Sequence, residues 1–119
     1  MLKNTNLINR YTQGKFIVNN KEYSEEILIL YDRVIELRKC NITIQHYLES
    51  IALLEIDILL IGSSINRDIL KTPIGLYLME HNNIIHFEVM TIGSACRTHN
   101  ILISESRSVV TYLSDINHA

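Results

Sequence analysis

The stretch IIHFEVMTIGSACRTHNILISESRSVVTYL, residues 84–113, decides the fold. It opens with an apolar run, IIHFEVM (84–90), which is typical of a buried strand. Small residues follow, and Ser94 is a candidate N-cap for a helix that runs through Ile103. The final part, RSVVTYL (107–113), is rich in β-branched residues and predicts a strand. A strand, a helix and a strand in succession favour a parallel sheet with a right-handed crossover.

The same alternation extends toward the N-terminus. A helix is predicted from Thr43, because apolar residues recur there at the spacing of one helix face: Ile44, Tyr47, Leu48 and Ile51. The run DILLIG (57–62) is aliphatic on both faces and ends in glycine, as a strand covered by helices does. A second helix is predicted from Thr72-Pro73, since proline suits the first helical position. Its inward residues are Ile74, Tyr77 and Leu78, and Asn82-Asn83 ends it.

The first third of the chain has the two-residue period of antiparallel strands. KFIVNNKEY (15–23) predicts a hairpin with a type I′ turn at Asn19-Asn20, because asparagine tolerates positive φ. Two further strands are predicted, EILILY (26–31) and VIEL (34–37). The whole is interpreted as a single α/β domain over residues 1–119, with flexible ends at 1–13 and 115–119. The predicted architecture is a three-layer α-β-α sandwich with a mixed, partly parallel sheet and an N-terminal β-hairpin region.

Composition excludes several classes of protein. The chain has 119 residues, a net charge of −2 and 47% hydrophobic residues, which indicates a globular domain. Lysine and arginine are scattered, so we expect no nucleic-acid partner. No apolar run reaches the roughly 18 residues of a membrane span, and the N-terminus lacks the apolar run of a signal peptide. We therefore expect a cytoplasmic protein that does not span a membrane. Its two cysteines, Cys40 and Cys96, are expected as reduced thiols.

Polar and small residues follow two of the predicted strands and define a candidate binding site. In an open α/β sheet, ligands bind outside the carboxyl ends of the strands. If the two strands are neighbours, their loops share one edge, where the N–H groups of residues 94–97 and the Arg97 guanidinium would hold a phosphate or a carboxylate. Alternatively, Gly93 and Ser94 form only a turn and a cap. The candidate residues are Gly62, Ser63, Ser64, Thr91, Gly93, Ser94, Cys96, Arg97 and Asn100.

Chemistry beyond binding has weaker support in the sequence. Cys96 near a helix N-terminus would have a lowered thiol pKa, and His99 lies on the same helix face, which would permit a nucleophilic pair. The alternative is a buried core cysteine, and no third, orienting residue is evident. The histidines match no metal-ligand spacing. We predict no catalytic residue, no metal and no cofactor.

The segment EVMTIGSACRTHNILISESRSVV resembles the C-terminal signature of a known family. In that family VEVM-T-x-x-ACRTYN-x-L is followed by EGR-x-V, and its members include the mitochondrial complex I (NADH dehydrogenase 1 alpha subcomplex) assembly factor 3 and the adipogenesis-associated domain proteins. The matching positions here are Glu88 to Thr91, Ala95 to Thr98, Asn100, Leu102, Glu105 and Arg107, together with Phe16, Val18, Tyr23 and Leu59 to Gly62. Departures include Asn20 and Ser64 where the family has glycine, and the lack of tryptophan.

The resemblance implies the same three-layer domain and no established catalytic activity. It implies a protein-interaction module that helps to assemble a membrane respiratory complex, with a subunit of that complex as partner and a peripheral position at the inner membrane. Whether the protein forms a homo-oligomer stays open. There are two alternatives to the protein-interaction role. One is a small-molecule or anion-binding protein that uses Gly62–Ser64 and Gly93–Arg97, and the other is a thiol enzyme that uses Cys96.

Overall fold

A computed structural model of the chain describes residues 5–12, 14–39, 46, 56–63, 73–80 and 86–115. Strands and helices in this part of the chain follow one another in the order β1 (Ile8–Thr12), β2 (Lys15–Val18), β3 (Lys21–Tyr23), β4 (Ile27–Ile29), β5 (Val34–Glu36), β6 (Ile58–Ser63), α1 (Pro73–Glu80), β7 (Phe87–Met90), α2 (Ile92–Ser104) and β8 (Val109–Ser114). None of the described helices is both long and apolar enough to cross a bilayer.

The central sheet has five strands in the order β5-β4-β8-β6-β7. β6 runs parallel to β7 and β8, whereas β4 runs antiparallel to β5 and β8. Ile61 lies opposite Val89 in the parallel pair. The sequence prediction that these two aliphatic strands are parallel neighbours is therefore confirmed, as is the mixed, partly parallel sheet.

The two described helices cover opposite faces of this sheet, which gives the predicted three layers. Alternate strand residues point to opposite faces. Leu59 and Ile61 of β6 share a core with Leu78 of α1. Gly62, which points to the other face, lies against Ala95 of α2. Because both faces are covered, β6 and β8 are buried along their whole length, and β6 begins with the aliphatic run typical of such strands.

The hairpin region forms a separate antiparallel sheet in the order β1-β2-β3. Asn19 and Asn20 have φ angles of 52° and 66°, so the predicted type I′ turn is confirmed. Phe16 and Val18 share a core with Ile29 of the central sheet and with Ile92 of α2. The small sheet thus lies beside α2 on the same face of the central sheet.

Three details differ from the sequence predictions. β1 lies within residues 1–13, which are predicted as a flexible end, and it pairs with β2. β7 is an edge strand with an exposed Glu88 rather than a strand buried on both faces. α2 begins at Ile92, with Thr91 and not Ser94 as its N-cap, because Thr91 is extended (φ −64°, ψ 158°) and its side chain accepts a hydrogen bond from the Ser94 N–H.

The first predicted helix falls largely outside the described residues. Only His46 of it is described, and His46 is helical. α1 starts at Pro73 as predicted; Leu78 is buried and Tyr77 half-buried, while the side chain of Ile74 is outside the described part. The predicted helix end at 82–83, the residue Ser64 and the tail 116–119 are also outside it.

Candidate functional site

A groove of about 380 Å³ lies between β1 and the first half of α2. It brings together four of the predicted site residues and four consecutive residues that the sequence did not indicate. The lining residues are Gly93, Cys96, Arg97 and Asn100 from α2 and Ile8, Asn9, Arg10 and Tyr11 from β1. Every α2 member is a predicted site residue, so this helix forms one wall of the groove and β1 forms the other.

Asn100 holds β1 against α2. Its Oδ1 accepts a hydrogen bond from the Ile8 N–H at 2.9 Å, and its Nδ2 donates to the Ile8 carbonyl at 2.7 Å. The side-chain amide therefore pairs with the strand as a neighbouring strand would. Its hydrogen-bonding groups fix the wall of the groove.

A β-bulge at Asn9 shapes the β1 wall. Ile8 pairs with Val18 but Arg10 pairs with Ile17, so Asn9 is an extra residue in the ladder. Because of it, Ile8 and Tyr11, which are three positions apart, both pack into the core shared by the hairpin sheet and α2. The bulge thus places Asn9 and Arg10 at the groove between two anchored residues.

Tyr11 anchors the far end of β1 to the end of β8. Its ring stacks on Phe16 with centroids 5.5 Å apart, and its hydroxyl donates to Oδ2 of Asp115 at 2.8 Å. The same carboxylate oxygen accepts from the Gly14 N–H at 3.1 Å. Partial burial, the hydrogen bond to Asp115 and the negative charge of Asp115 raise the pKa of Tyr11 to about 12. The phenol is thus held protonated as a donor.

Hydrogen bonds to Thr91 occupy two of the N–H groups in the first turn of α2. The Ser94 N–H donates to Oγ1 of Thr91 at 3.3 Å, and the Ala95 N–H donates to the Thr91 carbonyl at 2.9 Å. Two of the four N–H groups of the predicted anion site, those of Ser94 and Ala95, are therefore bonded to Thr91. Arg97 folds back over this turn, with Nη2 donating to Oγ of Ser94 at 3.2 Å, and its side chain is exposed.

Gly62 lies beneath α2 rather than at an open rim. A Cβ atom added to Gly62 would be 2.7 Å from the Cβ of Ala95 and 2.8 Å from Cδ2 of Leu113. Ser63 is fully buried. The close approach that glycine permits at Gly62 is therefore that of the helix to the sheet.

Cys96 is a buried thiol at the floor of the groove, with 8% of its surface exposed. Burial raises the pKa of Cys96 to about 11, and the charge of Arg97 offsets this only in part. The lowered pKa expected from the helix N-terminus is therefore wrong. Desolvation opposes the thiolate more strongly than the neighbouring cation favours it.

His99 is buried in the core and hydrogen-bonded there. Its Nε2 lies 2.6 Å from the Asn6 carbonyl oxygen and its Nδ1 lies 2.7 Å from Oγ1 of Thr111. Burial lowers the pKa of His99, partly offset by the hydrogen bond to Asn6. In the neutral ring Nε2 carries the proton, because a carbonyl can only accept, and Nδ1 accepts from the threonine hydroxyl. Both ring nitrogens are thus occupied by structural partners, and the conceivable Cys96–His99 pair is not assembled.

Arg107, one of the residues that carry the family resemblance, joins the ends of β6 and β8. Its Nε donates to Oδ2 of Asp57 at 2.9 Å, and the same oxygen accepts from the Ser108 N–H at 3.0 Å. The Arg107 hydrogen bond lowers the pKa of Asp57. Within the described part of the chain, no group of three or more histidine, cysteine or acidic side chains is arranged to hold a metal ion.

The arrangement defines a small three-layer α/β domain with an added antiparallel sheet and a basic groove between that sheet and α2. Residues 8–114 match the model of a family described as "protein of unknown function (DUF498/DUF598)", and the chain belongs to this family. Comparison with curated proteins gives no match.

Solved structures share this fold. A protein of Bordetella parapertussis is 25% identical with a TM-score of 0.70, over 96% of this chain and 98% of its own. A protein described as an outer membrane protein from Bartonella henselae is 21% identical with a TM-score of 0.70, over 97% and 99%. A Bordetella pertussis protein described as a Mth938-like domain is 21% identical with a TM-score of 0.59, over 92% and 85%. These structures support the mixed α/β fold.

Proposed function

We propose that this protein is a non-catalytic protein-interaction module. The observation that carries the proposal is the difference between the two faces of α2: one binds the rest of the domain and the other is exposed. Its inward polar side chains, His99 and Asn100, bind the segment around β1 and the central sheet. Its outward side chains, Arg97 and Ile101, are exposed beside the groove. A rigid helix with an exposed cation and an exposed aliphatic group suits the recognition of another protein.

The absence of catalytic activity is part of the proposal. Its support is that the thiol of Cys96 has a raised pKa and that His99 is bonded elsewhere. The test is alkylation by iodoacetamide at neutral pH in a Cys40→Ser variant. We expect Cys96 to react far more slowly than a free thiol in a peptide, since only the thiolate is nucleophilic. A rate equal to or faster than that of the peptide would contradict the proposal.

More specifically, we propose that this interaction module is an assembly factor for a membrane respiratory complex. Support comes from the resemblance of Ala95–Thr98 and its flanking residues to the complex I assembly factor family. The partner would then be a subunit of that complex, and the protein would be cytoplasmic and peripheral at the inner membrane, with self-association as an additional possibility.

A pull-down from native cells tests this role. Tagged protein is recovered under mild detergent and its companions are quantified by mass spectrometry, with an unrelated tagged α/β domain as control. Enrichment of membrane-complex subunits is the expected result. Recovery of none above the control would overturn the assembly role. Light scattering of the purified protein at several concentrations reports any homo-oligomer.

The groove itself favours a second candidate, the binding of a small molecule or anion. Its volume of about 380 Å³ lies within the usual range for ligand pockets, and Arg97 lies at its wall. A thermal-shift screen with phosphate, carboxylic acids and nucleotides tests it, with Arg97→Ala as the matched control. A stabilising ligand whose effect disappears in Arg97→Ala would support this candidate. An unchanged melting temperature across the set, or shifts that survive the substitution, would remove it.

A further inference from the structure

The groove carries positive charge in a chain that is negative overall. The two charged residues among those that line it are Arg10 and Arg97, and both are exposed. Asp115, which accepts from the Tyr11 hydroxyl at one end of the groove, offsets only one of these two charges. The net charge of the whole chain is −2. A concave surface with a local excess of guanidinium groups attracts carboxylates or phosphates, and arginine binds both through its paired N–H donors.

Two exposed aliphatic side chains lie next in sequence to residues that line the groove. Leu7 is 46% exposed and Ile101 is 58% exposed. Each is adjacent in sequence to one member of the Ile8–Asn100 hydrogen-bonded pair, which places Leu7 and Ile101 at the same end of the β1–α2 junction. Ile101 also lies four residues after Arg97, and such residues are neighbours on one face of a helix.

We propose that the groove between β1 and α2 docks an acidic segment of a partner protein; the proposal rests on the protein-interaction role above and names the chemistry of its partner. Carboxylates of the segment pair with Arg10 and Arg97, and an aliphatic side chain of the segment covers Leu7 and Ile101. A small anion would engage only the arginines and would leave the aliphatic side chains in water. The combination of charge inside the groove and apolar surface at its margin therefore favours a peptide segment over a free anion.

Site-specific photo-crosslinking in native cells tests this inference. The photoreactive residue p-benzoylphenylalanine replaces Ile101 in one variant and Leu76 in another. Leu76 is an apt control because it is 57% exposed and lies on α1, at the opposite face of the central sheet. Crosslinked peptides are identified by mass spectrometry. We expect position 101 to capture a segment rich in aspartate and glutamate.

The second part of the experiment reverses the charge of the two arginines. In the variant with the photoreactive residue at 101, Arg10→Glu and Arg97→Glu together are expected to reduce the yield of that crosslink about tenfold, because like charges then face each other. Crosslinks from position 76 should not change, which also verifies that the reversed protein is folded. The free anion is tested on the purified protein: the lack of a protein crosslink from position 101, together with an Arg97-dependent thermal shift by phosphate but not by chloride at equal ionic strength, would favour the anion and overturn the proposal.

The remaining outcomes distinguish the two proposals. Crosslinks from position 76 alone, or crosslinks from 101 that charge reversal leaves unchanged, would overturn the acidic-segment inference while the protein-interaction role stands. Protein crosslinks from neither position would count against both.

Discussion

The side-chain amide of Asn100 pairs with the backbone of Ile8, 92 residues away, as a strand would. One hydrogen bond runs in each direction, at 2.9 and 2.7 Å, so the donor and the acceptor of the Ile8 backbone are both satisfied. Asn100 therefore joins the backbone of the first strand directly to the last helix, in addition to the core that Ile8 shares with that helix.

Replacement of Asn100 by alanine is expected to destabilise the protein by about 2 kcal/mol, since two part-buried backbone groups lose their partners. Urea unfolding measures the loss, and amide hydrogen exchange at Ile8 should accelerate more than at Leu60 in the core. Ile101→Ala is the matched control, with an expected change below about 0.5 kcal/mol because Ile101 is exposed. Equal effects of the two substitutions would contradict the anchoring role of Asn100.

Gly62 and Gly93 form a second matched pair. An added methyl at Gly62 would meet Ala95 and Leu113 at 2.7 and 2.8 Å, so Gly62→Ala should cost about 1–3 kcal/mol through overpacking between α2 and the sheet. At Gly93 the nearest atom is Nη1 of Arg97 at 3.4 Å, the end of a flexible chain. Gly93→Ala should therefore be neutral or stabilising, because alanine favours the helix. Thermal unfolding of the two variants compares their stabilities. An unchanged melting temperature for Gly62→Ala would show that α2 does not pack this closely against the sheet.

Ser106 ends α2 in a conformation that suits glycine. Its φ is 60°, its N–H donates to the Ile103 carbonyl, and the Arg107 N–H donates to the Leu102 carbonyl, the bond pattern of a Schellman motif. The resembling family has glycine at this position in its EGR-x-V pattern. Relief of the left-handed strain should make Ser106→Gly more stable by up to about 1 kcal/mol, a rise of about 4 °C in melting temperature.

The control for this substitution is Ser104→Gly, two residues earlier and within the helix. There glycine removes the hydrogen bond from Oγ of Ser104 to the Ile101 carbonyl and loosens the last turn. A loss of about 0.5–1 kcal/mol is expected. If both substitutions lower stability, the left-handed conformation of Ser106 is not a source of strain.

The strands of the central sheet could be predicted from the sequence because each is marked by residues within it or next to it. β6 begins with the aliphatic run ILLI, which is typical of a strand covered on both faces, β8 is rich in β-branched residues, and Pro73 marks the start of α1. The type I′ turn follows from two consecutive asparagines at 19–20. Each of these features is fixed by neighbours in the sequence.

The β1 wall of the groove depends on contacts between distant residues and was missed for that reason. The bulge at Asn9 breaks the two-residue alternation that would reveal a strand, and Asn100 supplies a partner that no periodicity indicates. Gly62 shows a related limit: glycine signals a close approach but not what approaches. The sequence pointed to a ligand, and the structure places Ala95 there.

Acid should weaken the fold through His99. In the folded protein burial lowers the pKa of His99 below its usual 6.5, so the neutral ring is the favoured form. Above about pH 6.5 the ring is neutral in both states, and its contribution to stability is fully present. As the pH falls through that value, the unfolded chain takes up the proton first. The free energy of unfolding then decreases by up to about 1.4 kcal/mol per pH unit until the folded pKa is reached.

Unfolding by urea from about pH 7.5 to about pH 5.5 measures this slope, with His99→Gln as the reference because glutamine can both donate and accept but does not titrate in this range. The variant should be less stable than the wild type at the upper end, and the difference should shrink as the pH falls. Asp57, whose pKa is lowered by its hydrogen bond from Arg107, titrates below this window and does not contribute to the difference. Parallel pH profiles for the two proteins would show that His99 is not held neutral between Asn6 and Thr111.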